Sequence, residues 1–137
     1  MENIDIREFS LEDYERVVEV WQAAGLHIRP GDDKAAIARK LERDPELFLV
    51  ACNGGEIVAT VMGAHDGRRG YIYHVAVLPA HQRRGIARRL ILEVEKRLIA
   101  LGCPKLNLSV SPDNTGAIKF YQSLGFEVQH LQMGKEL

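Results

Sequence analysis

The fold of this chain is decided where an apolar run, Tyr71 to Leu78, leads into the basic turn Gln82-Arg83-Arg84-Gly85-Ile86-Ala87 and then into a long amphipathic segment. This order predicts a strand, a turn and a helix. The first N–H groups of a helix have no intrahelical partner, and the helix dipole favours negative charge at the same end. Gly85 lets a ligand approach the backbone closely because it carries no Cβ. The stretch therefore predicts either a site for a phosphorylated ligand or an ordinary solvated turn.

The amphipathic segment predicts a long helix from about residue 84 to residue 101. Apolar side chains recur along it at three- and four-residue intervals. They predict a buried stripe made of Ala87, Ile91, Val94, Leu98 and Leu101. Gly102 follows in the position where glycine commonly ends a helix. Glu93 and Arg97 are spaced to form an ion pair on the outer face.

Elsewhere, alternating or apolar runs predict strands, and capping residues predict helices. The predicted strands are residues 4–9, 47–52, 57–64, 71–78, 105–110 and 126–135. The other predicted helices follow Ser10, run from about residue 33 to 43, and begin after Asn114. The order β-α-α-β-β-β-α-β-α-β predicts an α/β fold with a mixed, mostly antiparallel sheet flanked by helices, in which a central meander is followed by a βαβ crossover. Residues 4–137 are predicted to form one domain.

Composition argues against several classes of partner. The 137-residue chain has a net charge of -1, which gives no global basic field for nucleic acid or an anionic membrane. No apolar run approaches the roughly 20 residues of a membrane helix, and residues 1–5 lack a signal-peptide core. Cys52 and Cys103 lie far apart and predict reduced thiols. We therefore expect a cytoplasmic protein, a monomer or homodimer, with no nucleic-acid or membrane partner.

A second motif follows the long helix: Asn114-x-x-Ala117-x-x-Phe120-Tyr121-x-x-Leu124-Gly125-Phe126. Together with the basic turn, it resembles the GCN5-related N-acetyltransferase (GNAT) superfamily. The turn matches the acyl-CoA pyrophosphate motif of that family, and the later segment matches its next helix motif. The element order agrees from about residue 4 to the end. The pattern is also similar to small bacterial acetyltransferases of the YpeA type.

The resemblance implies that acetyl-CoA is the acyl donor. In the family, a bulge splays the strand that here contains Val75, Ala76 and Val77, and the pantetheine arm pairs with its backbone. The remaining residues that the resemblance assigns to the cofactor are Gln82, Arg83, Arg84, Gly85, Ile86, Ala87, Asn114, Ala117, Phe120 and Tyr121. For the arginines the alternative is a solvent-facing role, for Asn114 a plain helix cap, and for Phe120 a place in the core. His27, His81 and His130 have no ligand spacing, and no metal site is predicted.

The implied reaction is direct attack of a neutral amine on the thioester in a ternary complex. It needs a base for the amine and a proton for the leaving thiolate. By its motif position, Tyr121 is predicted to be the general acid, and the alternative is a buried aromatic on an amphipathic helix. The base stays open among His74, His65, Asp66 and ordered water.

These motifs do not identify the acceptor. In the family it is selected partly by the loop after the first helix, here residues 25–33, where Arg29 would suit a carboxylate and Asp32 or Asp33 an amine. The same side chains would equally serve as surface charge or, for the aspartates, as helix caps. Three functions stay open: an N-acetyltransferase for a small amine, a protein N-terminal or lysine acetyltransferase, and a non-catalytic acyl-CoA-binding module. A small acceptor predicts an enclosed pocket, and a peptide predicts an open groove beside residues 75–78.

Overall fold

The computed structural model describes residues 3–137. The chain divides into two compact units, of which one ends at Asn107 and the other runs Leu108–Leu137. None of the helices in the described part of the chain combines the length and apolarity needed to cross a bilayer.

The α/β architecture and mixed sheet predicted from the sequence are confirmed. The strands are β1 (Ile4–Glu8), β2 (Phe48–Asn53), β3 (Glu56–His65), β4 (Gly70–Val77) and β5 (Leu106–Leu108). The helices are α1 (Tyr14–Ala23), α2 (Lys34–Arg43), α3 (Ile86–Ala100) and α4 (Thr115–Ser123). Short 3-10 turns occupy Leu11–Asp13, Pro45–Leu47 and Pro79–His81. The five strands lie side by side in chain order, and the pairs β1–β2, β2–β3 and β3–β4 are antiparallel.

Local signals explain most element boundaries. The Asp13 carboxylate accepts the backbone N–H of Ser10 at 2.9 Å, as expected at a helix start. Asp33 caps α2 by accepting the Ala36 N–H at 3.3 Å. Gly54 and Gly55 both have positive φ, and the hairpin between β2 and β3 turns on them.

The core of the first unit lies on both faces of the central strands. β2 is buried from Phe48 to Cys52, and β3 from Ile57 to Gly63. Strands buried on both faces read as continuous apolar runs, as these do. Val17, Val20 and Trp21 are the buried residues of α1.

The buried stripe of α3 agrees with the predicted one at Ile91, Val94 and Leu98 and differs in its other members. Its buried residues are Ile86, Leu90, Ile91, Val94 and Leu98. Ala87 is only partly buried, and Leu101, just beyond the helix end, is 47% exposed. The larger side chains of Ile86 and Leu90 bury more apolar surface and set the rotation of the helix. Glu93 and Arg97 do pair at 3.1 Å, but on a partly buried face, where Arg97 also donates to the Glu46 carbonyl at 2.8 Å.

The strand predicted at residues 126–135 is wrong. The structure has no strand after Leu108, and β5 itself is shorter than predicted. Alternation at Val128 and Leu131 suggested a strand, yet these side chains are 77% and 87% exposed. A strand needs a partner edge for its backbone groups, and the described residues of the second unit offer no further strand to pair with.

The close packing of α3 on β3 gives a stability prediction. A Cβ added to Gly63 would lie 2.9 Å from the Val94 side chain and 3.0 Å from the Leu47 carbonyl oxygen. We expect Gly63→Ala to lower the free energy of unfolding by about 1–3 kcal/mol, the usual cost of overpacking. Urea denaturation measures the change.

The matched control is Gly116→Ala, in α4, where an added Cβ meets nothing within 4 Å. Alanine favours helix over glycine by about 1 kcal/mol, so this variant should be as stable as the wild type or slightly more stable. Equal stability of Gly63→Ala and the wild type would contradict the close approach of α3 to β3.

Candidate functional site

The start of α3 is an exposed turn that is followed by a buried helical residue. Residues 82–85 are exposed, whereas Ile86 is 2% exposed and anchors the first turn of the helix in the core. Gly85 is the N-cap residue with φ 79°, and a Cβ there would meet nothing within 4 Å. Arg83 also has positive φ, at 64°. The turn therefore holds its backbone in a left-handed conformation beside open space, where the free N–H groups of a helix start suit an anion.

Gln82 ties this turn to the preceding strand. Its side-chain amide donates to the Val77 carbonyl at 3.1 Å. The glutamine of the motif therefore has a structural contact within the first unit, and this contact links the end of β4 to the turn before α3.

A bulge interrupts β4 at His74 and Val75, before the chain reaches this turn. Thr60 pairs with Ala76 and Met62 pairs with Tyr73, so β4 has two residues, His74 and Val75, opposite the single Val61 of β3. His74 has φ 51°, which is uncommon for any residue except glycine. The family resemblance implied a bulge in this strand, and the structure has one. Bulges re-aim side chains and recur beside active sites.

The bulge brings His74 onto Asp32. Nε2 of His74 lies 2.8 Å from Oδ1 of Asp32, which is only 6% exposed. The other carboxylate oxygen accepts the backbone N–H of Arg29 at 2.9 Å. The Tyr14 hydroxyl donates to the Asp32 carbonyl at 2.7 Å, so the aspartate is held through both its side chain and its backbone. The edge of the His74 ring meets Trp21, with ring centroids 4.9 Å apart.

A cleft of about 310 Å³ opens beside this pair. It is lined by Arg29, Pro30, Gly31, Asp32, Met62, Tyr73 and His74. The loop after α1 and the bulged part of β4 therefore form opposite sides of one pocket. Burial raises the pKa of the Tyr73 hydroxyl, which keeps it neutral.

Of the three β4 residues predicted to contact the cofactor, two have regular sheet positions and one lies in the bulge. Ala76 and Val77 are buried and pair with Thr60 and Ala59 of β3. Val75 lies in the bulge and is partly buried. Their assignment to the pantetheine arm stays a prediction.

The second unit carries the second motif on α4. The Asn114 side chain accepts the Ala117 N–H at 3.1 Å, so Asn114 is the N-cap of this helix. The centroid of the Tyr121 ring lies 5.3 Å from that of Phe120 and 5.9 Å from that of Phe126. Burial raises the pKa of the Tyr121 hydroxyl. Four of the predicted residues are thus brought together on one short helix, with a tyrosine that keeps its proton at neutral pH.

The structure places the other candidate bases away from the cleft lining. The Asp66 carboxylate accepts the N–H groups of Arg68 and Arg69, both at 2.9 Å; the bonds from Arg69 and Arg68 lower its pKa. His65 Nε2 lies 3.3 Å from Asp44 Oδ1, while its Nδ1 accepts the Gly67 N–H. Neither His65 nor Asp66 is among the residues that line the cleft.

Asp44, Glu46 and His65 offer three ligand atoms within 4.8 Å of one another. Lys40 lies 2.8 Å from the Asp44 carboxylate and compensates its charge, and burial lowers the pKa of that ammonium against the effect of Asp44. The histidine Nε2 that faces Asp44 carries the proton, because Nδ1 is an acceptor. Asp44 and Lys40 form an ion pair within this cluster. The expectation that the protein needs no metal stays a prediction.

The pairing of His74 with Asp32 was missed by sequence reasoning. The sequence suggests His74 as a base and Asp32 as an amine ligand or cap, with nothing to link the two. One signal is present: two consecutive aspartates precede α2, whereas a helix needs one N-cap residue.

The chain is similar to known acetyltransferases over nearly all of its length. A family model described as Acetyltransferase (GNAT) family matches residues 4–126. An acetyltransferase of Sodalis glossinidius is 46% identical over 137 residues, covering 98% of this chain and 96% of its own length.

Solved structures share the fold. Ard1 from Thermoplasma volcanium matches with a TM-score of 0.83 at 26% identity, over 93% of this chain and 84% of its own. The PaiA N-acetyltransferase from Thermoplasma acidophilum, solved in complex with coenzyme A, has a TM-score of 0.86 at 22% identity, over 95% and 93% of the two chains. At that second identity the likeness is one of fold alone. The family model and the Sodalis relative together carry the assignment: this chain belongs to the acetyltransferase (GNAT) family.

Proposed function

We propose that this acetyltransferase moves an acetyl group from acetyl-CoA to a primary amine by direct attack in a ternary complex. The observation that carries the donor half is the start of α3, where open space lies over Gly85 and the first turn is anchored by Ile86. A backbone that presents helix N–H groups beside unfilled space suits a pyrophosphate. The coenzyme A complex of the PaiA enzyme, which has the same fold, supports this choice of ligand.

In this proposal the pyrophosphate lies on the backbone of residues 83–87. Arg83 and Arg84 add positive charge at the exposed turn, and Ala87 leaves room near the phosphates. Gln82 acts indirectly, through its bond to the Val77 carbonyl.

The pantetheine arm is proposed to run along β4 at the bulge, as an added strand that pairs with backbone groups of Val75 and Val77. Asn114, Ala117 and Phe120, on and before α4, are proposed to bind the cofactor, as the family resemblance implies. Asn114 already satisfies the Ala117 N–H, so it has one further lone pair and an NH₂ group for the ligand.

Tyr121 is the proposed general acid. A general acid must hold its proton at the working pH, and burial raises the pKa of this hydroxyl above the ordinary value of tyrosine, about 10. The thiolate of coenzyme A leaves with the tyrosine proton, and Tyr121 recovers a proton from solvent.

The acceptor is proposed to be a small amine that enters the cleft between the loop after α1 and β4. The cleft measures about 310 Å³, within the size range of small-molecule pockets. Asp32 and His74 give it a polar end suited to an ammonium group, and Met62 and Tyr73 give it an apolar wall.

The turn at α3 gives a binding prediction. Gly85→Ala adds a Cβ in the space proposed for the pyrophosphate, at a φ of 79°. We expect the Kd for coenzyme A, measured by titration calorimetry, to rise about tenfold or more, alongside a loss of about 1 kcal/mol in stability from backbone strain.

Gly67→Ala is the matched control, since Gly67 has φ 99° and equally open surroundings in the β3–β4 turn. It should show the same loss of stability with unchanged coenzyme A affinity. Equal affinities of the two variants would contradict a pyrophosphate site at Gly85.

The acid role of Tyr121 predicts a change in the pH profile. Tyr121→Phe should lower kcat about 10- to 100-fold, at or below the low end for acid–base catalysis, because a thiolate is already a good leaving group. The wild-type rate should fall only at pH values above the raised tyrosine pKa, where the proton is lost, and the variant should lack this fall. An unchanged kcat across several amines would remove the assignment.

The decisive test of the function is release of free thiol from acetyl-CoA against a panel of small amines and peptides. Turnover with small amines is the expected result. If calorimetry detects no binding of acetyl-CoA to the wild-type protein, the proposed role of acetyl-CoA as acyl donor is wrong.

A further inference from the structure

Both oxygens of the Asp32 carboxylate have a polar partner in the structure. One oxygen accepts the Arg29 N–H at 2.9 Å and the other lies 2.8 Å from His74 Nε2. At 6% exposure the group has little water to satisfy it, so these bonds carry its charge. A carboxylate this well held can orient a histidine.

The same bond fixes which tautomer the neutral His74 ring adopts. An ionised carboxylate only accepts, so Nε2 of the neutral ring carries the hydrogen. Nδ1 then carries the lone pair that can take a proton. In serine proteases a buried aspartate likewise keeps an imidazole in the tautomer that acts as a base, with the roles of the two ring nitrogens exchanged.

His74 reaches this position at a cost in backbone energy. Its φ of 51° lies in the left-handed region, which is strained for a residue with a side chain. The bulge at His74 and Val75 and the packing of the ring against Trp21 hold it there. Strained residues of this type cluster at functional sites.

We propose that His74 is the general base of the acetyl transfer and that Asp32 is its positioning residue. The inference rests on the proposed function. It is carried by the bond between the two side chains and by the cleft beside them, which a purely structural tether would not require.

The other titratable groups around His74 are poor bases. Arg29 lines the same cleft but keeps its proton at any working pH. Burial raises the pKa of Tyr73 in β4 and of Tyr14 in α1, so both hydroxyls are neutral. Asp32 is committed to Arg29 and His74. An imidazole, by contrast, exchanges its proton near neutral pH.

The proton balance is complete with this assignment. Nδ1 of His74 takes a proton from the acceptor ammonium, and the neutral amine then forms the C–N bond as the C–S bond breaks. The nitrogen loses two protons in all. One offsets the proton that Tyr121 gives to the coenzyme A sulfur, and the other, first held on His74, goes to solvent.

The first test is Asp32→Asn. The amide oxygen must still accept from Arg29, so its NH₂ group faces His74 and forces Nε2 to become the acceptor. The proton then sits on Nδ1, where the base is needed. We expect kcat with a small amine to fall about 100-fold or more. Coenzyme A affinity by calorimetry should be unchanged.

Asp33→Asn is the control, because it makes the same charge change at the next residue. Asp33 caps α2, and asparagine caps equally well. This variant should keep the wild-type kcat and melting temperature. A wild-type kcat in Asp32→Asn, measured below its melting temperature, would overturn the positioning role.

The second test is His74→Asn, since asparagine tolerates positive φ and cannot act as a base. We expect kcat with a small amine to fall about 100-fold or more in this variant, while the Kd for coenzyme A stays at the wild-type value. A wild-type kcat in His74→Asn would overturn the inference and leave the proposed function intact. Failure of the wild type itself to bind acetyl-CoA or transfer the acetyl group would overturn both.

Discussion

The extra residue that β4 carries opposite β3 determines the geometry of the proposed acceptor side. Without it, the side chain at position 74 would follow the regular alternation of the strand. With it, His74 takes a left-handed conformation and meets Asp32, which lies 42 residues earlier in the chain. That contact ties the loop after α1 to the bulged strand. Asp32 and His74 both line the cleft between them, so the same bond holds residues of both of its sides.

Donor and acceptor recognition are built from different parts of the chain. The proposed donor site at α3 depends on backbone N–H groups, on a left-handed glycine and on a buried isoleucine beneath the first turn. Most side chains can vary there without loss of the anion site. The acceptor cleft depends instead on the side chains of a loop and one irregular strand. Its chemistry can therefore change by a few substitutions while the donor site stays the same.

Features that depend on residues close together in sequence could be predicted, whereas features that depend on distant residues could not. The turn at Gln82 and the cap at Asn114 are local, and their sequence signals predicted them correctly, whereas the cap of α2 stayed open between Asp32 and Asp33. The bulge at His74 has no glycine or proline to mark it, and its partner is distant in sequence. The centre of the buried stripe of α3 was predicted correctly, but its first residues were not, because packing against the sheet rather than the periodic pattern alone sets the rotation of the helix. The segment after Phe126 alternates like a strand, but alternation supplies no partner edge.

The contact between Trp21 and His74 has an optical consequence. Trp21 is the one tryptophan of the chain, and the centroids of its indole ring and the His74 imidazole lie 4.9 Å apart in an edge-to-face arrangement. Indole emission depends on the contacts that the ring makes. The tryptophan fluorescence of the unmodified protein therefore comes from a residue beside the proposed acceptor cleft, and a molecule that enters the cleft and displaces the imidazole changes that signal.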